Sequence, residues 1–269
     1  MMPCDRCADL IFKNKIKAIV IGQNILQTSF DNEKMIETLK KHGLEVKTDV
    51  LNEKVKKLNE FYNYFYENNR HWITAKQSLS LDHHVGPANG KHPRISSPKV
   101  YDHVHHKRAD YQALIIGSST AIIDNPNMLT DVDSEYQPIR IVIDGRGRLL
   151  NHLGLNLLNN YEVETWIFTQ NFNLVKTKFN GNVRVFEVNM HDVDEIIQIL
   201  TAEEIQSVYV EGGPTVQKAF MNKGYVNRII DYFAPLYFGE IGLEGAVPTH
   251  KFRLKNLNVS MIDDNIRIE

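Results

Sequence analysis

Three short stretches carry residues whose chemistry exceeds what a packed core needs. The first is SVYVEGGPTVQKAF, residues 207–220, where a β-branched and aromatic run meets an acid, two glycines, a proline and a helical pattern. Glycines at a strand end let the backbone come close to a ligand. Pro214 at the first helical turn sacrifices no donor, because an N–H there has no intrahelical acceptor. The remaining N–H groups of the turn through Gly213, Thr215 and Val216, with the helix dipole, favour an anion such as a diphosphate. Glu211 stands just before the glycines, at the carboxyl edge where open α/β sheets bind ligands. The same stretch also fits a plain strand-to-helix connection. It is not a dinucleotide fingerprint, since G-x-G-x-x-G is absent from the chain.

The second stretch is GSSTAIIDNP. Ser118, Ser119 and Thr120 put hydroxyls at a strand end, and Asp124 follows in a loop. Such groups either position sugar and phosphate oxygens or cap a helix. The third is Lys76 within WITAKQSLSLD. Lysines are rarely buried without a partner. Facing a cleft, Lys76 would hold a phosphate or donate a proton at a lowered pKa; on an edge strand it would simply be solvated.

Two other groups of potential ligands are weaker. His103, His105 and His106 share one helical pattern, and His103 and His106 share its face. Without a carboxylate at a fitting spacing they make a poor metal set, so a solvated helix face is expected. Cys4 and Cys7 have C-x-x-C spacing but no second pair in the chain.

These residues need a scaffold, and 269 residues suffice for one large domain or two modest ones. The 31 basic and 33 acidic residues nearly balance, which argues against a nucleic-acid-binding surface as the main business. No apolar run approaches a membrane span and no signal peptide is evident, so a cytoplasmic location is expected. Strands read at 17–22, 44–51, 72–82, 112–119, 139–144, 162–170, 183–189, 207–213 and 226–235, with a last pair ending at Glu269. Helices read at 8–14, 31–42 (Asp31 as N-cap, Gly43 as stop), 52–69, 97–110 (Ser97 as N-cap), 191–204 and 214–224. Residues 83–96 read as a loop. The alternation predicts an α/β fold with a largely parallel sheet finished by antiparallel strands.

In order, WITAKQSLSLD, RISSPKVYDHVHHKRADYQALIIGSSTAIIDNPNMLT, QPIRIVID, VYVEGGPTVQKAF and YFAPLYFG resemble the reductase domain of the bifunctional riboflavin-biosynthesis deaminase–reductase. The resemblance spans about residues 72–240. It implies a dihydrofolate-reductase-like, mostly parallel sheet flanked by helices over residues 70–269. It also implies NADPH-dependent reduction of the ribosyl group of 5-amino-6-(5-phosphoribosylamino)uracil to a ribityl chain, and a homodimer. By position, Lys76 is similar to the family's cleft lysine and Glu211 to its substrate-side acid. Ser78, Thr120, Asp124 and the turn Gly213, Pro214, Thr215 and Val216 match cofactor positions. Arg108, Leu129 and His92 match the substrate side.

The segment from PCDRC to FYNY resembles the end of the same protein's zinc deaminase domain and its link to the reductase. Residues 1–69 are thus expected to be a truncated, cytidine-deaminase-like α/β remnant with a linker helix. Cys4 and Cys7 would be vestigial zinc ligands, and deaminase activity lost. Some positions depart from the family. His83 follows Asp82 where glycine is usual, His92 and Arg94 hold serine and tryptophan positions, and Val132 stands where an arginine would face the substrate phosphate. His83, His84, Lys91 and His92 are the cations available to replace it. A diverged reductase on another small substrate and a catalytically dead nucleotide-binding module remain open alternatives, as does NADPH against NADH.

Overall fold

The computed structural model describes residues 1–88, 94–130, 136–190 and 192–269. The chain divides into two compact units, Met1–Arg70 and His71–Glu269.

In the first unit, α1 (Asp5–Lys13), β1 (Ala18–Val20), α2 (Asn32–Lys41) and β2 (Glu45–Lys47) build a two-stranded parallel βαβ piece. Asp31 caps α2 by accepting from the Lys34 N–H, and Gly43 ends it at φ +81°. Leu39, Met35, Ile21 and Ala8 form a small core of their own. The helix expected over 52–69 is two, α3 (Asn52–Leu58) and α4 (Glu60–Asn68). Asn59 breaks it at φ −105°, ψ 33°, and its side chain donates to Gln23 instead. Polar side chains that find a partner off the helix axis compete with helical continuation.

The second unit is built on nine strands. They are β3 (Trp72–Ser80), β5 (Ala113–Gly117), β6 (Ile139–Ile143), β7 (Thr165–Thr169), β8 (Val183–Glu187), β9 (Ser207–Val210), β10 (Arg228–Ala234), β12 (Val259–Ile262) and β13 (Asn265–Ile268). Their spatial order is β12-β13-β10-β3-β9-β5-β6-β7-β8. From β10 to β8 every pairing is parallel, and β13 and β12 add antiparallel strands at one edge. Central strands β5 and β9 are buried along Ala113–Ile116 and throughout Ser207–Val210, because helices cover both faces of a parallel sheet and neither face can be polar. Ile73, Ile115, Ile141, Trp166, Phe168, Val208 and Phe220 make the main core.

The flanking helices are α5 (Pro98–Arg108), α6 (Ser118–Asp124), α7 (Phe172–Val175), α8 (Val193–Ala202) and α9 (Pro214–Asn222). Ser97 caps α5 ahead of Pro98. Val193, Ile196 and Leu200 give α8 its buried stripe at helical spacing. The stretch expected to be loop after β3 contains a short strand, β4 (His84–Pro87), paired antiparallel with β11 (Gly242–Glu244). Gly86 and Pro87 hide this strand from the sequence pattern. Gly242 admits it, because a Cβ there would lie 2.2 Å from the His84 ring.

The chain leaves β5 toward β6, β7 and β8, returns to β9 between β3 and β5, and then crosses β3 to β10. The connections therefore diverge at β3, β9 and β5, and a crevice opens outside their carboxyl ends.

Candidate active site

A cleft of about 1050 Å³ occupies that crevice, and most of the residues expected in a site line it: Lys76, Ser78, Arg108, Thr120, Asp124, Leu129, Glu211, Gly213 and Pro214. Strand register explains the central pair. Ala75 of β3 pairs with Val210, the last residue of β9, so Lys76 and Glu211 come next on adjacent strands. There β9 stops while β3 runs on to Ser80. The Lys76 carbonyl, beyond the end of β9, is taken by the Gln217 side-chain amide of α9 at 2.6 Å.

Glu211 faces Arg108 in a bidentate ion pair. Nε donates to Oε1 at 2.6 Å and Nη2 to Oε2 at 2.8 Å, with the side chains only 10% and 9% exposed. Nη1 donates to the Leu129 carbonyl at 3.1 Å. Burial by itself would raise the Glu211 carboxyl; the Arg108 charge and its hydrogen bonds, joined by Lys76, outweigh it and hold the carboxyl below its ordinary value. Burial pushes the Lys76 amine down, Glu211 opposes this and Arg108 adds to it, for a net lowering. The crevice thus holds an ionised acid locked to a cation, beside an amine that gives up its proton more readily than a free lysine. Arg108 is a buried partner of Glu211 rather than a cation free to meet an anion.

The two glycines do different work. A Cβ on Gly212 would lie 2.3 Å from the Ile116 Cα and 2.6 Å from the Gly117 nitrogen, so this glycine serves close packing of β9's end against β5. The Glu211 and Gly212 N–H groups both donate to the Ile115 carbonyl. A Cβ on Gly213 would meet only Thr120 Oγ1, at 3.6 Å, on the cleft side. The ligand-facing role expected of both glycines therefore fits Gly213 alone. Thr215 and Val216 do not line the cleft. Thr215 is exposed, and the Val216 side chain packs toward the core and beneath Gly117. The Val216 and Gln217 N–H groups turn back to the Gly213 carbonyl.

His92, Lys91 and Val132 lie outside the described residues. The expectation of a solvated histidine face holds for His106, which is exposed, and fails for His103, which is half-buried with its Nε2 buried, and for His105, which is 8% exposed and lines the cleft. Its signal was legible as spacing: His105 stands at i−3 from Arg108 and i+4 from Tyr101. Two arginines also went unread. Arg146 and Arg148 are exposed just beyond the carboxyl end of β6, beside β5, and Arg148 donates to Ser118 Oγ at 3.0 Å. His83 occupies the left-handed region at φ +65°. That conformation explains why the resemblance places a glycine there.

Cys4 and Cys7 are exposed, with sulfurs 3.6 Å apart. Among the described residues no group of three or more His, Cys, Asp or Glu is arranged to hold a metal. Two thiols without further donors do not fit a closed tetrahedral zinc site. Among the described residues no helix is long and apolar enough to cross a membrane.

Comparison with known proteins gives this geometry a family. The family described as the RibD C-terminal domain matches residues 71–267. The riboflavin biosynthesis protein RibD of Bacillus amyloliquefaciens is 31% identical over 242 residues, covering 87% of this chain and 64% of that protein. The Aquifex aeolicus protein of the same name is 28% identical over 268 residues, covering 95% and 74%. The chain thus spans about two thirds to three quarters of the length of these relatives. Among solved structures, a Thermotoga maritima diaminohydroxyphosphoribosylaminopyrimidine deaminase/5-amino-6-(5-phosphoribosylamino)uracil reductase superposes with a TM-score of 0.77 at 26% identity, over 97% of this chain and 73% of that one. A crystal form of Acinetobacter baumannii RibD gives 0.80 at 25% identity, over 97% and 74%. A parallel sheet that opens at β3, β9 and β5, with an ion-paired acid and a half-buried lysine at the opening, is what this match covers, and the chain belongs to the RibD C-terminal domain family.

Proposed function

We propose that this chain reduces the ribosyl group of 5-amino-6-(5-phosphoribosylamino)uracil to a ribityl chain with NADPH, and that it lacks deaminase activity. The observation that carries the reading is the adjacency of Lys76 to the Arg108–Glu211 pair at the divergent strand ends, in a chain of this family. The residues present fit a dinucleotide. Gly213 leaves the cleft wall open where a side chain would stand, Pro214 starts α9 there, and Thr120 and Asp124 line the same wall. The cleft volume suits a cofactor and a small substrate together. Arg148 bonds Ser118 at the start of α6, and with Arg146, two residues earlier beyond the end of β6, it favours NADPH over NADH in this reading.

NADPH supplies a hydride from its nicotinamide ring, and the substrate must offer an electrophilic C1′, as an opened sugar or imine does. The protein supplies the rest. Lys76, made more acidic by burial, donates the proton that balances the hydride. Glu211 stays ionised and keeps Lys76 protonated for that step, since its charge opposes the burial effect. Leu129 and Met128 give the wall an apolar surface that displaces water. We assign the chain to the cytoplasm and to a homodimer by its likeness to the family.

The test is NADPH binding by the purified chain, then loss of reduced-nicotinamide absorbance with the deaminated pathway intermediate. Binding with turnover supports the reading. Binding without turnover directs the site to another small substrate, and no binding identifies a non-catalytic module. Absence of ammonia release from the aminated precursor checks the lost deaminase step.

A further inference from the structure

Arg108 orients the acid of this site, and its own orientation is set by four acceptor atoms. Three are the two Glu211 oxygens and the Leu129 carbonyl; the fourth is His105 Nε2, 3.2 Å from Nη1. A guanidinium stays protonated, so it is the donor, the imidazole accepts, and the ring proton sits on Nδ1. His105 lies one helical turn before Arg108 and is 8% exposed. Its ring is clamped from outside. Tyr101, one turn earlier, packs on it with centroids 3.8 Å apart, and the Arg94 guanidinium lies 4.0 Å over the Tyr101 ring. Arg94, Tyr101, His105, Arg108 and Glu211 form one file from the exposed surface to the buried acid.

We propose that His105 is a positioning residue for the reaction: its Nε2 fixes the Arg108 guanidinium in the orientation that keeps both Glu211 oxygens bonded, and so holds Glu211 as an anion next to Lys76. The inference rests on the reductase reading of the cleft. Without this acceptor one Nη1–H of a buried cation loses its partner, and the fork is free to swing toward the Leu129 carbonyl. Glu211 then keeps fewer than two bonds, and the charge that sustains Lys76 is no longer held in place. Leucine at 105 keeps an apolar bulk without an acceptor, whereas glutamine returns an acceptor oxygen at about the reach of Nε2.

The experiment compares His105→Leu with His105→Gln in the full chain. For the leucine variant kcat is expected to fall about tenfold to a hundredfold, the usual range for stranding a buried donor, with the NADPH Kd within about twofold, because the file lies on the substrate side. The glutamine variant is expected to recover to within a few-fold of wild type. Equal losses in both variants, or no loss in either, would overturn the proposal. A second readout does not need turnover. The Arg108 Nε proton, identified by its absence in Arg108→Lys, should give an exchange-protected NMR resonance in wild type and His105→Gln and an exchange-broadened one in His105→Leu. If wild type turns over nothing, the reductase reading fails while the resonance still decides the positioning. A resonance unchanged in His105→Leu would overturn it. Should the leucine variant not fold, Tyr101→Ala removes the clamp from the exposed side and should broaden the same resonance; an unchanged signal there counts against the file.

Discussion

Replacing Glu211 with glutamine removes one charge and little shape, and its consequences follow from the bonds of Arg108. The carboxylate accepts two charge-assisted bonds, at 2.6 and 2.8 Å, in a pair about one-tenth exposed. One oxygen becomes an NH₂ that faces a donor, and among the described residues no second carboxylate lies within ion-pair distance of Arg108. Stranding one partner of a buried pair costs about 3–5 kcal/mol, which for a unit of this size lowers Tm by roughly 6–20 °C. The Glu211 pKa is lowered in the fold, so the pair's contribution is complete above the unfolded carboxylate range and is lost as pH falls through the folded value. The Tm gap between wild type and variant should therefore narrow on acidification. Lys76 responds as well. Burial lowers its pKa, Glu211 opposes and Arg108 reinforces; deleting only the opposing charge lowers it further. The proton source is then exhausted at a lower pH, and the alkaline limb of kcat/KM should move to lower pH. The assay is a pH series of kcat/KM with NADPH titrations alongside. An unmoved alkaline limb together with an unchanged Tm would refute the reasoning, and a collapse of NADPH affinity would put Glu211 against the cofactor instead.

Lys76→Met should lower turnover by about two to four orders of magnitude, the usual weight of a positioned acid, while Tm stays level or rises because burial no longer opposes a charge; steady-state kinetics and thermal denaturation check both. Arg108→Met with Glu211→Leu replaces the buried pair by apolar bulk and should keep stability within about 1–2 kcal/mol of wild type while abolishing turnover. Gly212→Ala should destabilise by about 1–3 kcal/mol, since its Cβ meets the β5 backbone, as denaturant titration would show. Gly213→Val should fold and lose NADPH binding in a fluorescence titration, because its side chain starts toward Thr120 in the cleft. His83→Gly should gain up to about 1 kcal/mol by relieving a left-handed residue.

Much of the scaffold was legible because it is local. ALIIG and SVYV announce strands buried on both faces, and EGGP announces the turn into α9. Asp31 and Ser97 mark helix starts by the cap they supply. The order of strands and helices predicts a mostly parallel sheet, because parallel neighbours need crossover helices. Lys76 stood out as a lysine in an apolar-leaning strand, where burial is costly, and Glu211 as an acid just before the glycines at a strand's carboxyl end. The strand order was not legible, and with it the fact that β9 returns between β3 and β5. That return makes Lys76 and Glu211 neighbours across 135 positions of sequence, as register alone determines. The division of labour between Gly212 and Gly213 also belongs to the tertiary structure, since only the nearness of β5 to one of them distinguishes two identical residues. His105 shows the same limit. Its spacing to Arg108 is written in the sequence, but whether that helix face meets water or a buried acid depends on what packs against it, and long-range packing decided for the acid.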